Sequence, residues 1–227
     1  MLLMLSMYCL KEFVQILLIS MSWFVVDSDL MMSVPSKFTA YQDMDAFFHA
    51  SETVVNINHH PMAEMFALKT IEYVAKYLPR AVKDGNDKEA RAYMALANTF
   101  AGYYMMYTSA HTMEHAMGSF HDKLVHGAGL IEIAHAYYDF FAERKASEEN
   151  MIKMAIAMGV TNPTSGKDFI TALDKLIVIL CENWAREIKK IHFKISRVKE
   201  YRNGRKRTTM NIPLTGRAGV YHLLVLF

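Results

Sequence analysis

The amino-acid sequence predicts a mainly α-helical domain, a helical bundle with little strand and that little near the N-terminus. Three observations favour this class: apolar residues recur at helical spacing over several long segments, helix starts carry capping signatures, and turn residues stop the helices. Thr39 and Gln42 form one such signature, and Asp84-Gly85 is one such stop. The 227 residues are 52% hydrophobic, which is enough for one sizeable core.

The helices are predicted in chain order from these signals. The third predicted helix, which starts at Asn86, is apolar nearly all round after Ala95, so we expect it to be the central buried helix. Two short strands are expected outside the bundle, a buried one at Phe24–Val26 and one at Val220–Phe227. The helices are expected to start at Thr39, Met62, Asn86, Ser147 and Ser165.

The chain divides by composition into three regions, 1–23, 24–180 and 181–227. The first is apolar, but its uninterrupted run, 13–26, is shorter than the roughly 20 residues that span a bilayer, and no clear signal-peptide features accompany it. The last is basic from Arg186 to Arg207, which is more typical of a solvated tail than of a nucleic-acid site. Two distant cysteines, Cys9 and Cys181, form no disulfide framework, so a cytoplasmic location is expected.

The candidate chemistry begins on the first predicted helix. Asp45 and His49 are four residues apart, so they lie on one helix face with Cβ atoms roughly 5–6 Å apart. A carboxylate and an imidazole in that arrangement can bind a divalent metal. Two plainer interpretations stay open: Asp45 complements the helix dipole, and His49 is a buried histidine with a hydrogen-bond partner.

Four histidines lie within the span 111–126, directly after an apolar helix. His111 and His115 share a helix face, and His126 precedes Gly127 where the chain re-enters the core. A metal site and a polar network with Glu114, Ser109 and Asp122 both explain buried imidazoles here. The pair His121-Asp122 is similar to the dipeptide of some phosphohydrolases, an interpretation given low weight, and His135 is expected to pack in a helix.

Together these motifs resemble the iron-containing (group III) alcohol dehydrogenase family. The resemblance covers about Phe24 to Leu176, which corresponds to the family's C-terminal helical domain. The stretches that carry it are Val26-Asp27, Met31-Met32-Ser33-Val34-Pro35, Met44-Asp45-Ala46-Phe47-Phe48-His49-Ala50, Tyr77 to Asp87, His111-x-x-x-His115 and His126-Gly127.

The resemblance implies a site and a reaction. It places the metal ligands at Asp45, His49, His111 and His126, and a catalytic histidine at His115. It implies Fe²⁺, with Zn²⁺ as an alternative, and NAD or NADP as the hydride carrier. The expected substrate is a small alcohol or aldehyde, no nucleic acid or membrane is expected as a partner, and a homo-oligomer is compatible.

The sequence departs from the family in one large respect. The family's nucleotide-binding half carries a Gly-Gly-Gly-Ser phosphate loop, and this sequence contains neither that loop nor a G-x-G-x-x-G motif. The chain is therefore expected to be a truncated form with the metal-binding half only, and no cofactor-binding residues are assigned. The alternative function is a non-catalytic metal-binding helical module.

Overall fold

The structure, a computed structural model, describes residues 25–103, 108–121 and 123–181, and the backbone of 196–202, 205–212 and 221–223. The apolar segment 1–23 and the side chains of the basic tail lie outside these residues, and so does the predicted continuation of the last helix through Trp184 to Ile191. Among the described residues, no helix is both long and apolar enough to cross a membrane.

Seven α-helices make up most of the described chain, and the prediction of a mainly α-helical bundle is confirmed. They are α1 (Ser36–Val55), α2 (Pro61–Lys83), α3 (Lys88–Tyr103), α4 (Ala110–Gly118), α5 (His126–Ala142), α6 (Lys145–Ala157) and α7 (Gly166–Cys181).

Strands occur towards the C-terminus: β1 (Ser196–Arg202), β2 (Arg205–Ile212) and β3 (Tyr221–Leu223) pair antiparallel in that order. The last falls within the strand predicted at 220–227. The buried strand predicted at 24–26 is wrong for its two described residues, because Val25 and Val26 are 86% and 51% exposed and pair with no described strand. The chain instead forms a 3₁₀ turn at Ser28–Met31, where the Asp27 carboxylate accepts from the Asp29 amide at 2.9 Å.

Helix α1, not α3, is the central helix. It packs against α2, α3, α5 and α6, and most of its side chains are buried, whereas Tyr103 on α3 is 55% exposed. Helix α3 turns mainly alanines towards the core, so one side of it remains in contact with solvent. The prediction that α3 is the central buried helix, which rested on its apolar composition, is therefore wrong.

Several helix starts also differ from the predicted ones, and that of α6 lies at Lys145 instead of Ser147. Helix α1 begins three residues before Thr39, after Pro35, whose extended backbone precedes the first turn. The Thr39 hydroxyl instead accepts a hydrogen bond at 2.6 Å from Arg91, a fully buried side chain of α3. Helix α3 is capped by Asp87 rather than Asn86, because the Asp87 carboxylate accepts from the Ala90 amide at 3.0 Å.

The aromatic part of the apolar core lies between α1, α5 and α7, and α2, α3 and α6 also contribute buried residues to the core. Phe47 of α1 stacks on Phe169 of α7 with ring centroids 6.1 Å apart, and Phe48 lies 5.8 Å from the ring of Tyr138 on α5. All four side chains are fully buried. This packing fixes the axial position and rotation of α1, so the polar residues on its remaining face have a defined place.

Candidate metal centre

Helix α1 contributes three polar residues to one face. Asp45, His49 and Glu52 follow at spacings of four and three residues, so they lie above one another on successive turns. Their burial increases along the helix: the side chain of Asp45 is 29% exposed, that of His49 17%, and that of Glu52 0%. The face therefore runs from the edge of the bundle into its interior.

Helix α4 brings His111 onto this face. Its Nε2 lies 3.0 Å from Asp45 Oδ1, and its ring stacks on that of His49 with centroids 4.1 Å apart. The His49 Nε2 lies 3.5 Å from the same Asp45 oxygen. Residues 66 positions apart in the sequence are thereby brought around one carboxylate oxygen.

Helix α5 contributes His126, its first residue, and the following glycine permits this position. A Cβ atom at Gly127 would lie 2.1 Å from the Tyr41 carbonyl oxygen, so any side chain there would force α5 away from α1. Because the two backbones meet at this point, the His126 Nε2 reaches to 3.2 Å from Asp45 Oδ1. The Asp45 carboxylate is thus approached by three imidazoles from three helices.

Two buried carboxylates lie behind the imidazoles. Glu52 binds the Nδ1 of His111, and Glu114 binds the Nδ1 of His126. In each case the ring nitrogen that does not face Asp45 is held by a carboxylate oxygen. This is the carboxylate–histidine arrangement that commonly supports metal-bound imidazoles.

Burial and the neighbouring charges shift the pKa values of the group in opposite directions. Burial alone would raise the pKa of Asp45, but hydrogen bonds from His111 and His126 hold it well below its ordinary value. Burial opposes charge on His111, yet its bonds to Asp45 and Glu52 raise its pKa to about 9. The pKa of His49 is lowered by burial and by the adjacent His111. The site is therefore a compact ionic cluster with a firmly ionised carboxylate at its centre.

The residues present fit a divalent metal ion. Ligand atoms arranged tetrahedrally at the usual distances of about 2.0–2.2 Å from zinc would lie about 3.4 Å from one another. The three imidazole nitrogens lie 3.0, 3.2 and 3.5 Å from Asp45 Oδ1, close to that separation. The ligand atoms of Asp45, His49 and His111 also lie within 4.8 Å of one another, a set that does not include His126. One carboxylate oxygen with three imidazole nitrogens also suits Fe²⁺ or Zn²⁺ chemically.

The possible ligand atoms fall into two adjoining sets. Those of Asp45, His49 and His111 all lie within 4.8 Å of one another, and so do those of Glu114, His115 and His126. His126 connects the sets, because its Nε2 faces Asp45 while its Nδ1 faces Glu114. The three imidazoles expected as ligands are therefore close to the Asp45 carboxylate, with His126 at the boundary between the two sets.

His115 lies on the outer side of this group. Its side chain is exposed, and its ring centroid is 5.3 Å from that of His126. His135 lies away from the site. The prediction that it packs in a helix is wrong, because its ring is 66% exposed and bonded to Asp174 at 2.8 Å. Asp122, part of the expected polar network and of the phosphohydrolase-like pair, lies outside the described residues.

Glu52 is the residue that the sequence interpretation missed. It stands three positions after His49, so the same spacing rule that selects Asp45 and His49 also selects it. Its position on a helix between the apolar residues Phe48 and Val54 was a further signal, because a glutamate buried on such a helix needs partners. The sequence indicates Glu114 only as a member of an alternative polar network, and its bond to His126 makes it part of the same group.

The fold and the site together define a class of protein: a mainly α-helical domain that brings one aspartate and three histidines together. A sequence model described as the Fe-containing alcohol dehydrogenase family, C-terminal, matches residues 39–185, more than half of the chain. The chain therefore belongs to the Fe-containing alcohol dehydrogenase family and corresponds to its C-terminal part. The match extends past Leu176, where the resemblance was expected to stop.

Individual relatives agree with this assignment. The chain is 38% identical to alcohol dehydrogenase 4 of Schizosaccharomyces pombe over 49% of its own length and 27% of the relative. It is 31% identical to an NADPH-dependent butanol dehydrogenase of Clostridium saccharobutylicum over 67% of its length and 39% of the relative. It thus spans well under half of these relatives.

Solved structures show the same helical fold. The archaeal halo-thermophilic Red Sea brine pool alcohol dehydrogenase ADH/D1 superposes with a TM-score of 0.65 at 30% identity, covering 68% of this chain and 41% of that one. A 1,3-propanediol oxidoreductase superposes with a TM-score of 0.65 at 26% identity, covering 72% and 44%. The helices described above are thus similar to one part of larger enzymes.

Proposed function

We propose that this chain supplies the metal-binding part of an NAD(P)-dependent alcohol dehydrogenase, with Asp45, His49, His111 and His126 as ligands of Fe²⁺ or Zn²⁺. The observation that carries the proposal is the convergence of three Nε2 atoms within 3.5 Å of one oxygen of Asp45. Family membership supports both the metal and the reaction class. Residues 24–180 are proposed as the domain that forms this site.

The bound ion would act as a Lewis acid on the oxygen of an alcohol or carbonyl substrate. The chain's own residues hold and surround that position. Asp45 supplies the negative charge, and the stacked rings of His49 and His111 close its inner side, where both side chains are largely buried. His126 and the exposed His115 stand on the outer side, from which a small substrate can approach.

His115 is proposed as the catalytic residue. It stands one helical turn after His111, on the same face of α4, and its ring adjoins that of His126. An exposed imidazole beside the metal position can take up the substrate's hydroxyl proton and release it to water. NAD or NADP, when bound, would supply the hydride-transfer chemistry.

The metal assignment is tested by elemental analysis of the purified chain. We expect about one equivalent of iron or zinc in the wild type and less than a tenth of that in His111→Ala, which removes a buried ligand bonded to Asp45. His135→Ala is the matched control, because it removes an exposed histidine whose carboxylate partner, Asp174, is outside the site. Metal-free wild type, or full metal content in His111→Ala, would overturn the assignment.

The second candidate function is a metal-binding helical module without catalytic activity. This sequence spans only 27–39% of the two dehydrogenases compared above, so their catalytic activity is a proposal for it. Titration with NADH or NADPH separates the two functions: quenching of tryptophan fluorescence supports the dehydrogenase. We expect the isolated chain to oxidise alcohols poorly, and fast steady-state NAD(P)H formation would contradict this expectation.

A further inference from the structure

We propose that Glu52 and Glu114 are positioning residues of the metal centre, each orienting one ligand imidazole through its Nδ1 atom. This inference rests on the function proposed above. Glu52 binds His111, and Glu114 binds His126, while the Nε2 atoms of both rings face Asp45. Among the described residues, no hydrogen bond joins either glutamate to Asp45. The two glutamates therefore act on the site through the imidazole rings of His111 and His126.

The chemical reason is the choice of tautomer. A neutral imidazole carries one N–H and one lone pair, and only the nitrogen with the lone pair can bind a metal. A carboxylate that accepts a hydrogen bond from Nδ1–H keeps the proton there and leaves the Nε2 lone pair for the metal. It also raises the electron density of the ring, which strengthens the metal–nitrogen bond.

Glu52 is held in place by more than His111. Its carboxylate oxygen Oε1 accepts hydrogen bonds from the Ala110 amide at 2.6 Å, the Thr108 hydroxyl at 2.7 Å and the Tyr137 hydroxyl at 3.2 Å. The side chain is fully buried, so it has no alternative partner in solvent. Its second oxygen, Oε2, is thus presented to His111 in one orientation. The first oxygen, Oε1, also satisfies the first amide of α4, that of Ala110.

Glu114 is fixed by packing. It is 3% exposed, and a Cβ atom at Gly129 on α5 would lie 2.7 Å from its Cγ. The missing side chain at Gly129 therefore makes the room in which Glu114 lies beside α5. Since His126 is the first residue of that helix, the bond from Glu114 sets both the ring orientation and the approach of α4 to α5.

The two glutamates are tested by Glu52→Gln and Glu114→Gln in the full chain, with Co²⁺ as the probe ion. We expect each variant to bind one Co²⁺ ion, as the wild type does, but about 10–100-fold more weakly. The reason is that a carboxylate hydrogen-bonded to the far nitrogen of a ligand histidine contributes about that much to metal affinity. Glutamine keeps the shape but removes the charge, and its amide can donate to Nδ1 and shift the proton to Nε2.

The matched control is Glu64→Gln. Glu64 binds the Nε2 of His59 at 2.7 Å, so the same substitution breaks the same kind of bond away from the site. We expect its Co²⁺ affinity to stay within twofold of the wild type. Circular dichroism of the metal-free proteins establishes that each variant is folded, and Glu114→Gln serves if the more connected Glu52→Gln does not fold.

Nitrogen NMR of the histidine rings supplies a readout that a purely structural role would not move. We expect the Nδ1–H tautomer for His111 and His126 in the metal-loaded wild type, and loss of it at one ring in each variant. Wild-type affinity in both folded glutamine variants overturns the inference, and so does a second Co²⁺ ion that Glu114→Gln abolishes, because Glu114 would then be a ligand. If His111→Ala fails to lose metal, the proposed function itself is wrong.

Discussion

The two faces of helix α1 are built on different principles. One face carries Phe47, which is fully buried and stacks on an aromatic ring of α7. Phe48, which is fully buried against an aromatic ring of α5, lies between that face and the polar one. The polar face carries Asp45, His49 and Glu52, which meet charged and polar groups of α4 and α5. Both faces are largely enclosed, so the same helix holds an apolar contact and an ionic one at similar depth.

The comparison shows what each face contributes. Apolar burial stabilises the bundle in proportion to the area removed from water, at about 25 cal/mol per Å². Buried charged groups stabilise much less, because the loss of hydration offsets most of their attraction. We infer that α1 owes its position to the apolar face and its function to the polar one, so substitutions on the two faces should separate stability from metal binding.

The largest expected effect is that of Phe47→Ala. Removing a fully buried ring that stacks on Phe169 should lower the free energy of unfolding by about 3–5 kcal/mol. Urea denaturation of the metal-free protein measures this. Phe38→Ala is the control, because that ring is 53% exposed, and it should change stability by less than about 1 kcal/mol. Comparable losses in both variants would show that the α1 contact is not the main packing interface.

Gly127→Ala should affect both faces at once. The added methyl group would meet the Tyr41 carbonyl, so α5 must move away from α1, at about 1–3 kcal/mol of stability. We expect Co²⁺ binding to weaken as well, because His126 moves with α5.

Gly102→Ala provides the contrast, because nothing lies within 4 Å of its added Cβ on helix α3. It should leave metal binding unchanged and stabilise the helix by about 0.5 kcal/mol. Full metal affinity in Gly127→Ala would mean that the close approach of α5 to α1 serves packing only.

The smallest expected effect concerns a carboxyl outside both faces. Burial raises the pKa of Glu132 on α5 from 4.5 to about 7. As the pH rises through this window, the unfolded chain loses its proton before the folded protein, so the free energy of unfolding falls. Glu132→Gln should remove that fall, so at pH 8 its free energy of unfolding should be about 1 kcal/mol higher than that of the wild type. The difference is no larger because Glu132 is partly exposed and solvent screens its charge.

Near pH 4 the two proteins should be equally stable, because Glu132 is then protonated in both states. Chemical denaturation at a series of pH values measures the difference, with the exposed Glu148→Gln as the control. A stability difference that persists at pH 4 would assign the effect of Glu132→Gln to packing instead of charge.

The sequence allowed much of this to be predicted, but unevenly. Turn and capping residues placed α2 within a residue at each end, because Pro61 and Asp84-Gly85 act through local backbone geometry. The start of α1 was misplaced because Thr39 looks like a cap but bonds to Arg91, 52 positions away. The buried strand at 24–26 failed for a similar reason, since apolar composition does not supply a neighbouring strand.

The helical class and the shared face of Asp45 and His49 followed from the sequence by itself, because spacing along a helix determines which side chains share a face. The family and the ligand set followed from the resemblance of several motifs taken together. Only the tertiary structure decided which faces meet: that α1 is central, that His126 reaches Asp45 at 3.2 Å, and that Glu52 and Glu114 stand behind the imidazoles. The physical reason is distance in the chain. Contacts between residues 12 to 85 positions apart depend on helix packing, and no local pattern encodes the fit of Gly127 against the backbone of α1.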